Sequence, residues 1–293
     1  MSLKRKLKGM AKFILNNIPA RKFEVKVINL APNELLKGRV ALITGGTSGI
    51  GFHMAQAFLR SGAVVVITGR SEERLQRACA ELNVDGQYKG RLFSLVMDNM
   101  CVDSFQERFQ MALNQVRTSG FSCIDILVNN AGVLGASMPN AVAEDFDKVI
   151  ATNLKGVFFL SQLFGRYLKE NKICGNILNV GSSSCLRPAV SAYTLSKWGI
   201  RGMTLGLAKA LAPYGITVNG IAPGPTATPM LVGDDLNRVT LNSNPIGRYA
   251  LPEEIANMAV VLVSSMGQSI VGDMVYMTGG AGIVTYDDIE YSF

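Results

Sequence analysis

Histidine is nearly missing from this chain of 293 residues: His53 stands alone. A single imidazole excludes multi-histidine metal sites, so no metal is expected, and it leaves a serine–histidine triad without support. Its place one turn into a helix suits packing better than catalysis. Cysteine is scarce as well, with five residues at 79, 101, 123, 174 and 185 in neither CxxC nor finger spacing. An odd number cannot close a complete disulfide framework, and a reducing, cytoplasmic setting is the expectation. Nor does any apolar run reach the roughly 18 residues of a membrane-spanning helix.

Acidic residues are short in one region only. Of 29 Lys and Arg and 22 Asp and Glu, residues 1–26 hold eight and one, so the remainder balances at 21 of each sign. The basic excess therefore belongs to an arm and gives no reason to expect nucleic acid as a partner of the body. Within that arm Leu3, Leu7, Met10 and Ile14 recur at helical spacing among basic residues, which predicts a short amphipathic helix. It lacks the long apolar stretch and small-residue cleavage site of a secretory signal. Three settings stand open for its apolar side: the protein's own body or a sister subunit, solvent, or an acidic membrane surface, with an acidic carrier as a further contact. Phe23, Val25 and Val27 alternate with charged residues and predict a short strand, completing a basic N-terminal extension over 1–36.

From Lys37 onward apolar runs alternate with helical periods. The runs are Val40–Thr44, Val64–Thr68, Leu92–Val96, Ile124–Val128, Asn176–Val180, Thr217–Ile221 and Met274–Met277. Helical stretches lie near 50–61, 72–82, 103–117, 144–169, 191–212 and 252–265. This alternation predicts an α/β fold, a Rossmann-type doubly wound seven-stranded parallel sheet with helices on both faces. No composition break divides the rest, so residues 37–293 read as one catalytic domain with a lid near 229–251. The 13 methionines read as adaptable core filling.

The first strand runs into Thr44-Gly45-Gly46-Thr47-Ser48-Gly49-Ile50-Gly51 and then a helix. Glycines at such a turn permit positive φ and let backbone N–H groups approach a pyrophosphate, while the helix start offers partial positive charge. Gly45, Thr47, Ser48, Gly49, Ile50 and Gly51 are thus candidate dinucleotide-binding residues. Where NAD enzymes carry an acid for the ribose 2′-hydroxyl, the second strand ends in Gly69-Arg70-Ser71. Glycine leaves room for a 2′-phosphate, and Arg70 and Ser71 can pair with it, so the expected cofactor is NADP(H). The plainer alternative is an Arg70 that caps a surface turn.

Tyr193 is the one tyrosine followed four residues later by lysine, Lys197. On a helix the two share a face, their side-chain origins roughly 5–6 Å apart. An ammonium about 4 Å from a phenol, in an effective dielectric near 20, favours the phenolate by about 4 kcal/mol. Such a tyrosine can hand a proton to a carbonyl oxygen or take one from an alcohol. The competing reading is a surface contact worth a few tenths of a kcal/mol.

Together, TGGTSGIG, Asn129-Asn130-Ala131-Gly132 after the fourth strand, and Tyr193 with Lys197 make residues 37–285 resemble the short-chain dehydrogenase/reductase family. The resemblance implies that Asp98 and Asn99 contact adenine and that Asn130, Ala131 and Gly132 shape the cofactor floor beside the ribose. Thr152-Asn153-Leu154 matches the family's helix motif, which makes Asn153 the water-holding asparagine of a proton relay. Pro223, Gly224 and Thr228 match the segment that grips the nicotinamide carboxamide, with Thr226 a further candidate. Tyr193 and Lys197 also join the cofactor site through the nicotinamide ribose. For the catalytic serine, Ser182 precedes Tyr193 by 11 residues, slightly closer than is usual in the family, and Ser183 is the alternative.

The expected activity is that of an NADP(H)-dependent carbonyl reductase with Asn153, Ser182, Tyr193 and Lys197 as its catalytic set. Its small-molecule ketone, aldehyde or alcohol substrate is left open among 3-oxoacyl thioesters, keto sugars, steroids and small ketones. Small residues from Gly206 to Ala212, following Trp198, suit close helix packing, and the family implies a homodimer or homotetramer there. A dinucleotide-binding regulator without turnover is the rival class.

Overall fold

The computed structural model describes residues 32–233 and 239–284. The arm and strand expected within residues 1–31, and residues 234–238 of the expected lid, lie outside the described residues. Seven strands form: β1 (Val40–Thr44), β2 (Val64–Gly69), β3 (Leu92–Val96), β4 (Ile126–Asn129), β5 (Asn176–Val180), β6 (Thr217–Pro223) and β7 (Met274–Met277). They pair in parallel in the order β3-β2-β1-β4-β5-β6-β7. The crossovers are α1 (Gly49–Arg60), α2 (Glu72–Leu82), α3 (Phe105–Thr118), α4 (Ala143–Ile150), α5 (Gly156–Glu170), α6 (Ala192–Leu211), the short α7 (Pro229–Val232) and α8 (Pro252–Val263).

The strands are continuous apolar runs because both sheet faces are covered. Alternate residues feed two cores. Ala41, Ile43, Val65, Ile67, Ile126 and Val128 pack with Phe58 of α1, Leu75 of α2 and Ile255 of α8. Their neighbours Val40, Leu42, Val64, Val66 and Leu127 pack with Phe109 of α3 and with Phe164 and Leu168 of α5. Phe58 and Phe164 are fully buried, each side chain contributing about 1.5–3 kcal/mol by leaving water.

Two segments depart from the sequence-based boundaries. The fourth strand begins at Ile126 and not at Ile124, because the Asp125 carboxylate accepts the Val40 N–H and pairs with Arg39. The expected helix over 144–169 is interrupted: Ala151–Lys155 form a π-helical turn between α4 and α5. Helical periodicity does not reveal that insertion, since the apolar stripe resumes beyond it. Gly156 follows directly, and a side chain there would meet the Asn99 carbonyl at 2.1 Å, so this residue sets how closely the helix approaches the loop after β3.

Candidate active site

The strand order reverses between β1 and β4, and in doubly wound sheets the crevice opens beyond the carboxyl ends of such a pair. Here those ends are stitched together. The Thr44 hydroxyl accepts the N–H groups of Asn130 (3.0 Å) and Ala131 (3.1 Å). The Asn130 amide donates to the carbonyls of Thr44 and Gly45, both at 3.0 Å. Both of its amide hydrogens are thereby engaged, so its side chain sets the glycine loop and does not reach outward. Gly45 (φ 65°) and Gly49 (φ 55°) hold left-handed backbone in that loop, where other residues are strained.

A cleft of about 1070 Å³ lies over this junction. Its wall includes Gly45, Thr47, Ser48, Gly49, Ile50, Arg70, Ser71, Asp98, Asn99, Asn130, Ala131, Gly132, Pro223, Gly224, Thr226 and Thr228, together with Ser182, Tyr193 and Lys197. Two residues singled out from the sequence are not in the wall. Gly51 is buried, and a side chain on it would strike the Gly45 carbonyl at 2.4 Å, so it serves helix-to-loop packing. Asn153 lies behind the wall: its Oδ1 accepts the Val133 N–H (2.8 Å), and its Nδ2 donates to the Val133 carbonyl (2.9 Å) and the Ser196 hydroxyl (3.4 Å). Any water it holds must therefore be met chiefly by its backbone, in the π-helical turn.

At the β2 end the residues fit a phosphorylated dinucleotide. A side chain at Gly69 would come within 2.9 Å of Thr47 Cγ2, so an acid placed there requires the Thr47 side chain to shift. Ser71 caps α2 by accepting the Arg74 N–H at 3.3 Å. That cap aligns the first turn, and Arg74 joins Arg70 in the wall. Sequence reasoning missed Arg74, although its signal was available three residues into a helix that begins at the 2′-position. The Asp98 carboxylate accepts the Met100 N–H (2.9 Å), while Asn99 Nδ2 is a buried donor without a partner among the described residues. A buried donor left unmet beside the cleft has hydrogen-bonding capacity to offer a ligand.

The other end carries Tyr193, Lys197 and Ser182. Ser191 caps α6, accepting the Thr194 N–H at 3.1 Å, and this cap presents Tyr193 and Lys197 one turn apart toward the cleft. The Lys197 ammonium sits 5.5 Å from the centre of the Tyr193 ring. It is 5% exposed and donates to the Val180 carbonyl at 2.8 Å. A buried cation held by a neutral carbonyl, with no acid paired to it among the described residues, keeps its field for whatever lies beside it. Ser182 heads a 3₁₀ turn (Ser183–Leu186), its Oγ accepting the Ser184 N–H at 3.1 Å. The hydroxyl's own hydrogen remains available to donate outward. Ser183 and Ser184 also line the cleft. Burial raises the Cys185 thiol above its ordinary range; it donates to the Lys197 carbonyl at 3.1 Å, as a structural group and not a nucleophile.

Comparison with known proteins identifies the family. Residues 39–237 match the family model described as short chain dehydrogenase. A 3alpha-hydroxysteroid dehydrogenase of Mediterraneibacter gnavus is 34% identical over 84% of this chain and 98% of its own. A 3-oxoacyl-[acyl-carrier-protein] reductase of Aquifex aeolicus is 31% identical over the same shares, 84% and 98%. The crystal structure of a short chain dehydrogenase from Burkholderia cenocepacia in complex with NADP superposes with a TM-score of 0.72 at 33% identity, covering 84% of this chain and 98% of that one. The family model, the sequence identities and the shared fold agree, and the chain belongs to the short-chain dehydrogenase family.

Proposed function

We propose that this protein is an NADP(H)-dependent oxidoreductase that interconverts a ketone or aldehyde with its alcohol, using Tyr193 as general acid and base. The observation that carries the reading is the convergence of Tyr193, Lys197 and Ser182 on the cleft that also contains the glycine loop, Arg70 and Arg74. Support for NADP(H) comes from that pair of guanidinium groups, from the glycine that stands at position 69 in place of an acid, and from the relative solved with NADP. When bound, the cofactor supplies or accepts the hydride.

In the reducing direction Tyr193 Oη gives its proton to the substrate oxygen as negative charge develops there. Ser182 Oγ donates a second hydrogen bond to the same oxygen, and donors aimed at developing charge lower the barrier without reorganising. Lys197 stabilises the resulting phenolate and holds the nicotinamide ribose. Asn153 fixes a water through its backbone, and that water returns a proton toward Lys197 and Tyr193. In the roles of the wall, Asp98 and Asn99 receive the adenine, Asn130 to Gly132 form the floor, and Pro223, Gly224, Thr226 and Thr228 grip the carboxamide.

Copies of the chain associate, in this reading, through α5 and α6. An apolar groove there is lined by Leu154, Phe158, Phe159, Met203 and Leu207, and Phe158 remains 49% exposed. Five unpaired cysteines fit a reducing cytoplasm.

The test is Tyr193→Phe, with NADPH consumption measured over a panel of ketones and aldehydes. Turnover should fall by about 10²–10⁴-fold, the usual contribution of a positioned acid, while NADPH still binds. A variant that turns over like the wild type refutes the mechanism.

A further inference from the structure

Arg187 has no part in the proton relay or the cofactor grip, yet it lines the cleft. It lies in the loop joining the Ser182 turn to α6, so it sits in sequence between the two groups that bracket the reacting oxygen. The backbone there is pinned, because the Trp198 indole donates to the Arg187 carbonyl at 2.8 Å. Its guanidinium, by contrast, forms no ion pair and no side-chain hydrogen bond among the described residues. The residue is only partly exposed. Guanidinium is always charged and presents a planar fork of donors that suits carboxylate or phosphate.

Nothing in the described wall neutralises it. The single acid there is Asp98, at the β3 side and engaged on the Met100 N–H. Arg187 is also too far away to serve the 2′-phosphate subsite. Arg70 and Arg74 follow β2 and Arg187 follows β5, three strand positions apart in the sheet order, or about 14 Å at the usual strand spacing. The glycine loop that would receive the cofactor's pyrophosphate follows β1, away from the loop after β5, which leaves the substrate as the ligand that Arg187 is placed to meet. Leu134, Met230 and Leu231 add apolar surface to the same wall.

We propose that Arg187 is a specificity-determining residue that binds an anionic group, carboxylate or phosphate, on the substrate; the substrate is a carbonyl or hydroxy compound with an apolar portion and a negative charge. This rests on the oxidoreductase reading for its chemistry but not for its binding site.

The experiment uses matched pairs in the full chain with NADPH: 4-acetylbenzoate against methyl 4-acetylbenzoate, and dihydroxyacetone phosphate against dihydroxyacetone. The wild type should prefer the anionic member of at least one pair by about 10–100-fold in kcat/KM, the range of a charge-assisted hydrogen bond; which pair responds separates carboxylate from phosphate. Arg187→Met should bring that ratio to about one, chiefly through KM, and Arg187→Lys should restore part of it. A wild type indifferent to charge, or a preference that survives Arg187→Met, overturns the proposal. If the wild type turns over no member of either pair, the oxidoreductase reading is in question and the anion site is decided separately by fluorescence. Trp198 is the only tryptophan of the chain, so its emission should shift saturably on titration with 4-acetylbenzoate or dihydroxyacetone phosphate, in the wild type and not in Arg187→Met. Absence of that shift also overturns the proposal.

Discussion

The two ends of the parallel sheet are built from the same residue types to opposite effect. At the amino-terminal ends of β1, β4, β5 and β6, polar groups satisfy one another across four strands. Arg39 pairs with Asp125 and donates to Asn176 Oδ1 (2.6 Å), Asn176 Nδ2 donates to Thr217 Oγ1 (2.6 Å), and Asp125 Oδ1 accepts the Val40 N–H (2.8 Å). At the carboxyl-terminal ends, Arg70, Arg74 and Arg187 form no ion pair among the described residues, Lys197 is held only by a carbonyl, and Asn99 Nδ2 is unmet. A closed network stabilises the fold and has nothing left to offer a ligand. Open donors contribute little until something arrives to accept them.

Breaking the closed end should produce the largest effect on stability. Asp125→Ala strands the Val40 N–H and removes the counter-ion of Arg39, whose bonds to Asn176 and the Val263 carbonyl remain. A fully buried pair broken on one side costs about 3–5 kcal/mol; Arg39 keeps 26% of its side chain exposed and can recover part of that from water, so about 2–3 kcal/mol is expected. Asp125→Asn should lose less. Burial raises the Asp125 carboxyl above its ordinary range despite the opposing pull of Arg39, so the charge is held at a net penalty, and an amide oxygen can still accept from Val40. Urea titration measures both variants, and NADPH affinity, governed by the other end, should stay within twofold of wild type. A large change in affinity would erase the distinction between the two ends.

At the open end the converse should hold. Replacing Arg70 and Arg74 together by alanine should weaken NADPH binding by about 10–100-fold, the worth of charge-assisted bonds to a phosphate, while NADH binding and the urea midpoint change little. Equal weakening of both cofactors would mean that the pair does not read the 2′-position.

How much of the molecule is legible in its sequence depends on the scale of the signal. Strand runs, crossovers and the glycine loop are local patterns, and each appears at or near its expected place. The break at Ala151–Lys155 left no trace because a π-helical turn adds a residue without disturbing the apolar stripe on either side. Asn130 and Asn153 could be picked out as site residues, but their partners could not: the Gly45 carbonyl lies 85 positions from Asn130, and the Val133 backbone 20 from Asn153. Arg187 carried no motif. Its interest comes from the lack of an acid beside it among the described residues, a property visible only when the wall is assembled.

His53 tests whether satisfaction or position divides the molecule, because it lies at the cleft end yet is fully partnered. Its Nδ1 is 2.8 Å from the Gly49 carbonyl and its Nε2 is 3.3 Å from Glu253 Oε1. The carbonyl can only accept, so Nδ1 carries a hydrogen, and in the neutral ring Nε2 would face a carboxylate bare. Only the imidazolium donates to both. Burial, the largest influence, opposes that charge, but Glu253 and the Gly49 carbonyl together carry His53 above its ordinary 6.5. The bond from His53 in turn holds Glu253 below its ordinary 4.5. The raised group stabilises fully below 6.5 and loses its contribution as pH rises through the folded value; the lowered group stabilises fully above 4.5 and loses it as pH falls through its own. The stability gap between wild type and His53→Gln should therefore be widest between pH 4.5 and 6.5, reach no more than about 1 kcal/mol, and narrow on either side. Thermal unfolding across pH measures it. A gap indifferent to pH would mean that the ring is held by packing alone, and that proximity to the glycine loop confers no electrostatic role on a residue whose partners are already in place.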